Sequence, residues 1–252
     1  AILFFYGLVV FCRNQALPSL SMLVAFPYLV IVVGMGYTRQ SIALGFIMLG
    51  LVALENGNYW RYIKLIIFAT LFHISAVILL PLAMIVVKRY LFIKTFALAL
   101  FIAFIYFFIL DQQDGGWINY INSTYLSSKS SISSSGTIIR FAMVLLPALI
   151  FLLNINRFRV SISASIYKIK LWKVFALSSF VMIIPLIILQ STTVVDRVLL
   201  YWLPLQLFVY SNIPVAYLRT KYMYLIIYLM IVLYSFMVFA VWFSFANNSP
   251  SW

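Results

Sequence analysis

The stretch Tyr222–Phe245 reads YMYLIIYLMIVLYSFMVFAVWFSF and contains no charged residue. A helix needs about 20 consecutive apolar residues to cross a bilayer. The whole chain has the matching composition: hydrophobic residues make up 66% of it and charged residues only 8%, against about 25% charged in soluble domains. The sequence therefore predicts a polytopic integral membrane protein.

Eight further apolar runs precede this stretch. Only helices and closed barrels satisfy the backbone in lipid, and these runs lack the alternation of barrel strands. The prediction is an all-α fold, a single transmembrane domain over residues 1–252 with about nine or ten transmembrane or re-entrant helices. Because Ala1 lies inside an apolar run, we expect truncation at both ends. The predicted helices are Ile2–Phe11, Leu17–Val33, Ser41–Leu54, Tyr62–Val87, Thr95–Leu110, Ile138–Leu153, Val174–Leu189, Val198–Tyr217 and Tyr222–Phe245.

Basic residues in short loops predict which loops face the cytoplasm. The densest basic cluster, in 157–173, predicts a cytoplasmic loop, and counting outward from it assigns 13 of the 17 Lys and Arg residues to that side. The segment 111–137 is predicted to be an external loop. The four external basic residues are Arg39, Lys129, Arg140 and Arg197.

The run Tyr62–Val87 does not fit simple counting, since both of its ends fall inside if Ser41–Leu54 crosses the membrane. One interpretation is a broken hairpin with His73 near its outer tip. Non-helical backbone at that depth is tolerated only where protein or water covers it. The alternative is that Ser41–Leu54 does not cross and Tyr62–Val87 is one span with His73 buried in it.

Three arginines lie at predicted external helix starts: Arg39, Arg140 and Arg197. Positive charge opposes the helix dipole at such a start, whereas a bound anion is favourable there. Guanidinium groups also bind phosphate oxygens in a bidentate manner. The three arginines therefore predict a site for a polyanion such as a lipid pyrophosphate. The competing interpretations are snorkelling to headgroups for Arg39 and a structural Asp–Arg pair at Asp196-Arg197.

His73 is the only histidine of the chain. It is a candidate to act as a general base or to hold a phosphate, and a structural role is the alternative. Asp196 is the second candidate base, and it is also a suitable helix N-cap. Four further residues are candidate contacts to sugar, namely Tyr37, Gln40, Asp111 and Asp114.

Other classes of site have little support in the sequence. Cys12 is the only cysteine, so an internal disulfide and a cysteine metal site are excluded. One histidine and four acids leave little material for any metal site, and we expect neither a metal nor a cofactor. The net charge of +13 follows from the cytoplasmic loops, so no nucleic-acid partner is expected.

Three motifs carry a family resemblance: Gly36-Tyr37-Thr38-Arg39-Gln40-Ser41-Ile42-Ala43, Phe72-His73-Ile74-Ser75-Ala76 followed by Pro81, and Asp196-Arg197 with Tyr201. Together they resemble the EpsG-like branch of bacterial polysaccharide polymerases, which is grouped with the Wzy O-antigen and capsule polymerases. The closing segment 247–252 is similar to part of the family tail. Such proteins usually carry an earlier outer loop with Arg and Asp-Tyr, which this chain lacks.

The resemblance implies a multi-pass glycosyltransferase of the bacterial inner membrane with its active site facing the periplasm. It would move a growing glycan from undecaprenyl pyrophosphate onto a lipid-linked repeat unit, among membrane lipids and with a chain-length regulator protein as a further candidate partner. Arg39, His73 and Arg197 match motif positions, whereas Arg140 rests on the charge argument. The alternatives are a lipid-linked glycan transporter or flippase, which should show internal repeats, and a membrane acyltransferase.

Overall fold

The computed structural model describes residues 1–86, 136–161, 166–188, 192–218 and 221–248. Within those ranges nearly every residue is helical and no strand occurs, so the predicted all-α class is confirmed. Four described helices are long and apolar enough to cross a membrane. They are Pro18–Gly36, Thr38–Glu55, Val195–Ala216 and Lys221–Ser244. The larger predicted number of membrane helices stays a prediction.

The described elements are numbered here in chain order. They are α1 (Ile2–Arg13), α2 (Pro18–Ala25, continued by the π-helical segment Phe26–Val33 and by Gly34–Gly36), α3 (Thr38–Glu55), α4 (Tyr59–Phe72), a 3₁₀ helix (Ile74–Leu79), α5 (Pro81–Val86), α6 (Thr137–Leu153), α7 (Ile155–Ser161), α8 (Ile166–Val181), α9 (Ile183–Ile188), α10 (Thr192–Leu199), a 3₁₀ turn (Leu200–Trp202), α11 (Pro204–Ala216) and α12 (Lys221–Asn248).

Helix α11 occupies the centre of the described bundle, and α12 lies at its edge. Of the most apolar stretch of Val195–Ala216, 83% is buried, against 17% for Lys221–Ser244. Both stretches are apolar, so hydropathy alone does not separate them. Helix α11 is covered by other parts of the protein. Most of the surface of α12 faces outward, and its apolar side chains suit contact with lipid.

Helices α1 and α3 cross at a pair of glycines. A Cβ added at Gly45 would lie 2.7 Å from the carbonyl oxygen of Leu3, and one added at Gly7 would overlap the carbonyl of Gly45. Small residues allow such close backbone approach between membrane helices. The crossing fixes α1 against the helix that carries Arg39 and Gln40.

The predicted break at His73 is observed. Helix α4 ends at Phe72, and the Tyr62 hydroxyl donates to the carbonyl oxygen of Leu79 at 2.5 Å. A continuous helix would separate residues 17 positions apart by about 25 Å. The chain therefore folds back on itself after His73, which favours the hairpin interpretation over a single span.

Two predicted helix starts were wrong. Helix α8 begins at Ile166 instead of Val174, so Lys168, Lys170 and Lys173 lie on a helix and not in a loop. Lysine is a good helix former, and its apolar stem packs along a helix surface while the charge reaches a polar partner. Helix α10 begins at Thr192 instead of Val198.

The earlier start of α10 changes the position of two site residues. Arg197 lies in the last turn of α10, and Asp196 lies inside it and is not its N-cap. The helix-start argument for an anion therefore does not apply to Arg197. Arg39 and Arg140 do lie in first turns, of α3 and α6. The predicted helix Thr95–Leu110 and most of the predicted loop 111–137, with Asp111 and Asp114, lie outside the described residues.

A buried polar network closes the end of α3 opposite Arg39. Glu55 accepts hydrogen bonds from Trp172 (2.6 Å) and from the side-chain amide of Asn14, and pairs with Lys168 at 3.2 Å. These contacts join α1, α3 and α8. Lys168 belongs to the basic cluster that predicts the cytoplasmic side, so this network marks the predicted inner end of the bundle.

Candidate active site

His73 lies at the junction of the hairpin, where its side chain contacts residues that are distant in sequence. The backbone of His73 is extended (φ −150°, ψ 109°), between the end of α4 and the start of the 3₁₀ helix. Its N–H still completes the last helical bond, to the carbonyl oxygen of Ala69 at 3.0 Å. The N–H of His73 therefore stays bonded to α4, although the residue itself is extended and its imidazole is half-buried.

The imidazole contacts two hydroxyl groups. His73 Nδ1 lies 2.7 Å from Ser75 Oγ and 2.8 Å from Tyr201 Oη, and the two hydroxyl oxygens are 2.9 Å apart. Tyr201 is fully buried, and its ring meets the imidazole edge-on with centroids 6.2 Å apart. Three polar groups from two distant segments therefore form a closed triangle, which we call the His73 triangle.

Helix α3 contributes a third segment to this place. The Gln40 side-chain amide donates from Nε2 to the backbone carbonyl of Arg197 at 2.5 Å. Gln40 is buried, so this bond satisfies a polar group that would otherwise be costly. It holds the start of α3 against the segment that carries both Arg197 and Tyr201.

Two exposed arginines adjoin the Gln40–Arg197 contact in the chain. Arg39 precedes Gln40 on α3, and Arg197 supplies the carbonyl that Gln40 binds. Of the two, Arg197 acts electrostatically on His73. Burial, and then the positive charge of Arg197, lower the pKa of His73, which lies between helices and outside the four candidate spans. A lowered pKa keeps the imidazole neutral at pH 7.

Arg140 has a different environment. Its guanidinium forms an ion pair with the carboxylate of Asp196, and both side chains are buried. The guanidinium also lies over the rings of Tyr28 and Trp242, at 5.6 and 5.1 Å from their centroids. The structural Asp–Arg pair considered for this region is present, but the arginine is Arg140 instead of Arg197.

The geometry joins the three motifs of the sequence at one end of α3. The sequence pattern of the EpsG family matches residues 1–251. The chain belongs to the EpsG family. Membership assigns it to the EpsG-like polysaccharide polymerases, with a glycosyltransferase-like function in polysaccharide biosynthesis. No curated protein gives a significant match to the chain. No solved structure does either.

In this EpsG-family chain the predicted site residues fall into three groups. Gln40 binds Arg197, whose charge acts on His73, and Arg39 precedes Gln40 in the chain. Arg140 and Asp196 form the separate buried pair. Tyr37 is half-buried and lines an apolar cavity of about 480 Å³ together with Trp242. Within the described part of the chain, no three His, Cys, Asp or Glu side chains cluster as metal ligands do.

Two members of the EpsG-family site were missing from the predicted site residues: Ser75 and Tyr201. Both occur in the motifs that carry the resemblance, two residues after His73 and four after Arg197. Serine and tyrosine are common in apolar helices as packing residues, so composition gives no reason to single them out. Their proximity to His73 was the missing information, and it depends on the fold-back of the hairpin.

Proposed function

We propose that this chain is a polysaccharide repeat-unit polymerase of the bacterial inner membrane. It transfers a growing glycan from undecaprenyl pyrophosphate to a lipid-linked repeat unit at the periplasmic face. The observation that carries the proposal is the convergence of His73, Gln40, Tyr201 and Arg197, from three distant segments, in an EpsG-family chain. The exposed Arg197, whose charge acts on the half-buried imidazole of His73, suits an anionic substrate.

The transfer creates charge on the leaving group. The bond between the anomeric carbon and the pyrophosphate oxygen breaks, and its electron pair stays on the pyrophosphate. A lone pair of the acceptor hydroxyl forms the new glycosidic bond, and the hydroxyl proton is released. Arg197 and Arg39 supply fixed positive charge where the negative charge develops, which stabilises the transition state more than the ground state.

The start of α3 strengthens this anion site. Arg39 is the second residue of α3, so the backbone N–H groups of the first turn lie beside it. These groups have no partner within the helix and favour a bound anion. The side chain and the helix start therefore act on the same phosphate.

Arg140 and Asp196 act as a brace in this proposal. Their ion pair holds α10, which carries Arg197, against α6. A carboxylate engaged by a buried guanidinium is a poor proton acceptor, so the pair also disfavours Asp196 as the base. His73 can serve as the base or as a hydrogen-bond donor to the pyrophosphate, depending on which ring nitrogen carries the proton.

The periplasmic assignment rests on the ends of α3. The Glu55 network, with Lys168, lies at one end. Near the other end, Gln40 binds the carbonyl of Arg197, four residues before Tyr201 of the His73 triangle. Basic residues concentrate on the cytoplasmic side of bacterial membrane proteins. The opposite end of α3 then faces the periplasm.

The test is polymerisation of purified lipid-linked repeat units by the full-length protein in vesicles. Arg39→Ala and Arg197→Ala should each lower turnover by about 100-fold, the usual effect of losing one group that stabilises a developing anion. Arg159→Ala is the matched control, because Arg159 is also exposed but lies in the predicted cytoplasmic cluster. Full-length glycan from both site variants would overturn the proposal.

A further inference from the structure

We propose that His73 rests as the neutral tautomer that carries its proton on Nε2, and that Ser75 and Tyr201 are the positioning residues that hold it there. His73 is then a hydrogen-bond donor toward the substrate and not a base. The inference rests on the geometry of the His73 triangle. It also separates the two chemical roles that the sequence left open for His73.

The hydrogens of the triangle can be counted. If Nδ1 is unprotonated, the hydroxyl hydrogens of Ser75 and Tyr201 supply two hydrogen bonds within the triangle and none is left over. If Nδ1 carries the proton, it no longer accepts, and three hydrogens compete for two bonds. One hydroxyl hydrogen must then point out of the triangle. The sides of 2.7, 2.8 and 2.9 Å are all within hydrogen-bonding distance, so the two bonds can occupy two of them with no hydrogen left over.

Burial restricts where the Tyr201 hydrogen can point. Tyr201 is fully buried, and its described hydrogen-bond partners are Ser75 and His73. The buried Tyr201 hydroxyl therefore donates into the triangle. If Nδ1 carries the proton, the hydrogen left over is therefore that of Ser75. It points out of the triangle, where no described residue accepts it.

The surroundings also favour a neutral ring. The charged and titratable groups that act on His73 are Arg197 and Tyr201. The positive charge of Arg197 opposes a second proton on the imidazole, and half-burial acts in the same direction. With Nδ1 accepting from hydroxyl groups, the single ring proton of the neutral form resides on Nε2.

The consequence for the reaction rests on the proposed function. A neutral Nε2–H donates a hydrogen bond to a phosphate oxygen of the leaving pyrophosphate, beside the guanidinium of Arg197. An Nε2 that already carries hydrogen does not take the proton of the acceptor hydroxyl. That proton passes to a phosphate oxygen of the departing pyrophosphate, whose charge rises as its bond to the sugar breaks.

The test exploits the single histidine of the chain. The 252-residue chain, labelled with ¹⁵N-histidine, purified with a histidine-free tag and placed in lipid nanodiscs, gives one imidazole. Its two nitrogen signals and their proton couplings report which nitrogen carries hydrogen. We expect a protonated Nε2 and an Nδ1 signal shifted by accepted hydrogen bonds. A protonated Nδ1 in the wild-type protein would overturn the proposal.

Variants test the positioning residues in the same experiment. Tyr201→Phe and Ser75→Ala should each move the Nδ1 signal toward that of a free, unprotonated ring nitrogen. Tyr234→Phe is the matched control, because it removes a hydroxyl that bonds Gln206 and not His73. An Nδ1 signal that stays unmoved in Ser75→Ala and in folded Tyr201→Phe would assign the orientation to other groups. Because the readout does not require polymerisation, it stands or falls separately from the proposed function.

Discussion

The reactivity of His73 depends on atoms that lie far from it in sequence. Ser75 is two residues from His73, but Tyr201 follows His73 by 128 positions. Arg197 and Gln40 are also distant from His73 in sequence. Each contributes one property: a hydroxyl hydrogen, a charge, or an amide whose orientation a carbonyl fixes. The side chain is therefore best understood as part of a five-residue arrangement.

Two replacements of His73 distinguish a donor from a base. Glutamine places an N–H close to the position of Nε2 but does not take up a proton at neutral pH. If His73 donates, His73→Gln should lose less than about tenfold in turnover, the worth of one neutral hydrogen bond. His73→Ala should lose about 100-fold or more. Polymerisation of lipid-linked repeat units measures both. Equal losses of about 100-fold or more would instead assign the base role.

The role of the Arg140–Asp196 ion pair can be tested by measuring the free energy of unfolding of variants. Asp196→Ala leaves a buried guanidinium charge without its partner and should lower the free energy of unfolding by about 3–5 kcal/mol. The double variant Arg140→Met, Asp196→Leu removes both charges and should recover most of that loss. Denaturation in detergent measures each variant. Single and double variants of equal stability would contradict the brace.

The pair also shows the limit of sequence reasoning at this scale. The low tolerance of apolar helices for charge indicated that Arg140 needs a partner or a ligand. It did not predict that Arg140 pairs with Asp196, because the pairing depends on how α6 packs against α10. The adjacent Arg197 was the natural partner by sequence, and its side chain is exposed instead.

Among the elements, the hairpin after α4 decides whether the site exists. Counting the charged loops, which placed both ends of Tyr62–Val87 on the same side, gave a break at His73 as one of two interpretations. The bond from Tyr62 to Leu79 shows that the second arm returns along the first. The start of α8 was missed because lysines were taken only as markers of a loop. Lys168 instead uses a helical position to reach Glu55.

The crossing of α1 and α3 offers a prediction about packing. Gly7→Leu should force the two backbones apart and lower the free energy of unfolding by about 1–3 kcal/mol or more. Thermal unfolding of purified variants in detergent measures the effect. Gly36→Ala is the control, since a Cβ at Gly36 meets nothing within 4 Å. If both variants unfold at the same temperature, the close crossing is absent.

At the scale of the whole molecule, α3 connects two polar clusters through an apolar bundle. Composition alone predicted the membrane class and the all-α fold, since lipid leaves few alternatives for the backbone. Orientation depends on the charges near the helix ends, and it decides which cluster meets the periplasm.

Cysteine labelling tests that orientation. Met35 and Asn156 are both exposed, and they are predicted to lie outside and inside respectively. In a Cys12→Ala background, an impermeant thiol reagent should label Met35→Cys in intact cells and Asn156→Cys only after lysis. The reverse pattern would place the His73 triangle on the cytoplasmic side.

The length of α3 sets how deep the substrate must travel. Gln40 and Glu55 lie about 22 Å apart along the axis, at about 1.5 Å per residue, whereas the hydrocarbon core of a bilayer is about 30 Å thick. If the Glu55 network lies at the inner boundary and α3 crosses along the membrane normal, the start of α3 lies about 8 Å beneath the outer boundary. The lipid would then thin locally, or the pyrophosphate would sink below the headgroups. The rate of polymerisation then depends on the hydrophobic thickness of the bilayer. Vesicles of short-chain lipids should give faster polymerisation than vesicles of long-chain lipids at equal protein and substrate density. Equal rates across that series would place the reacting groups at the membrane surface.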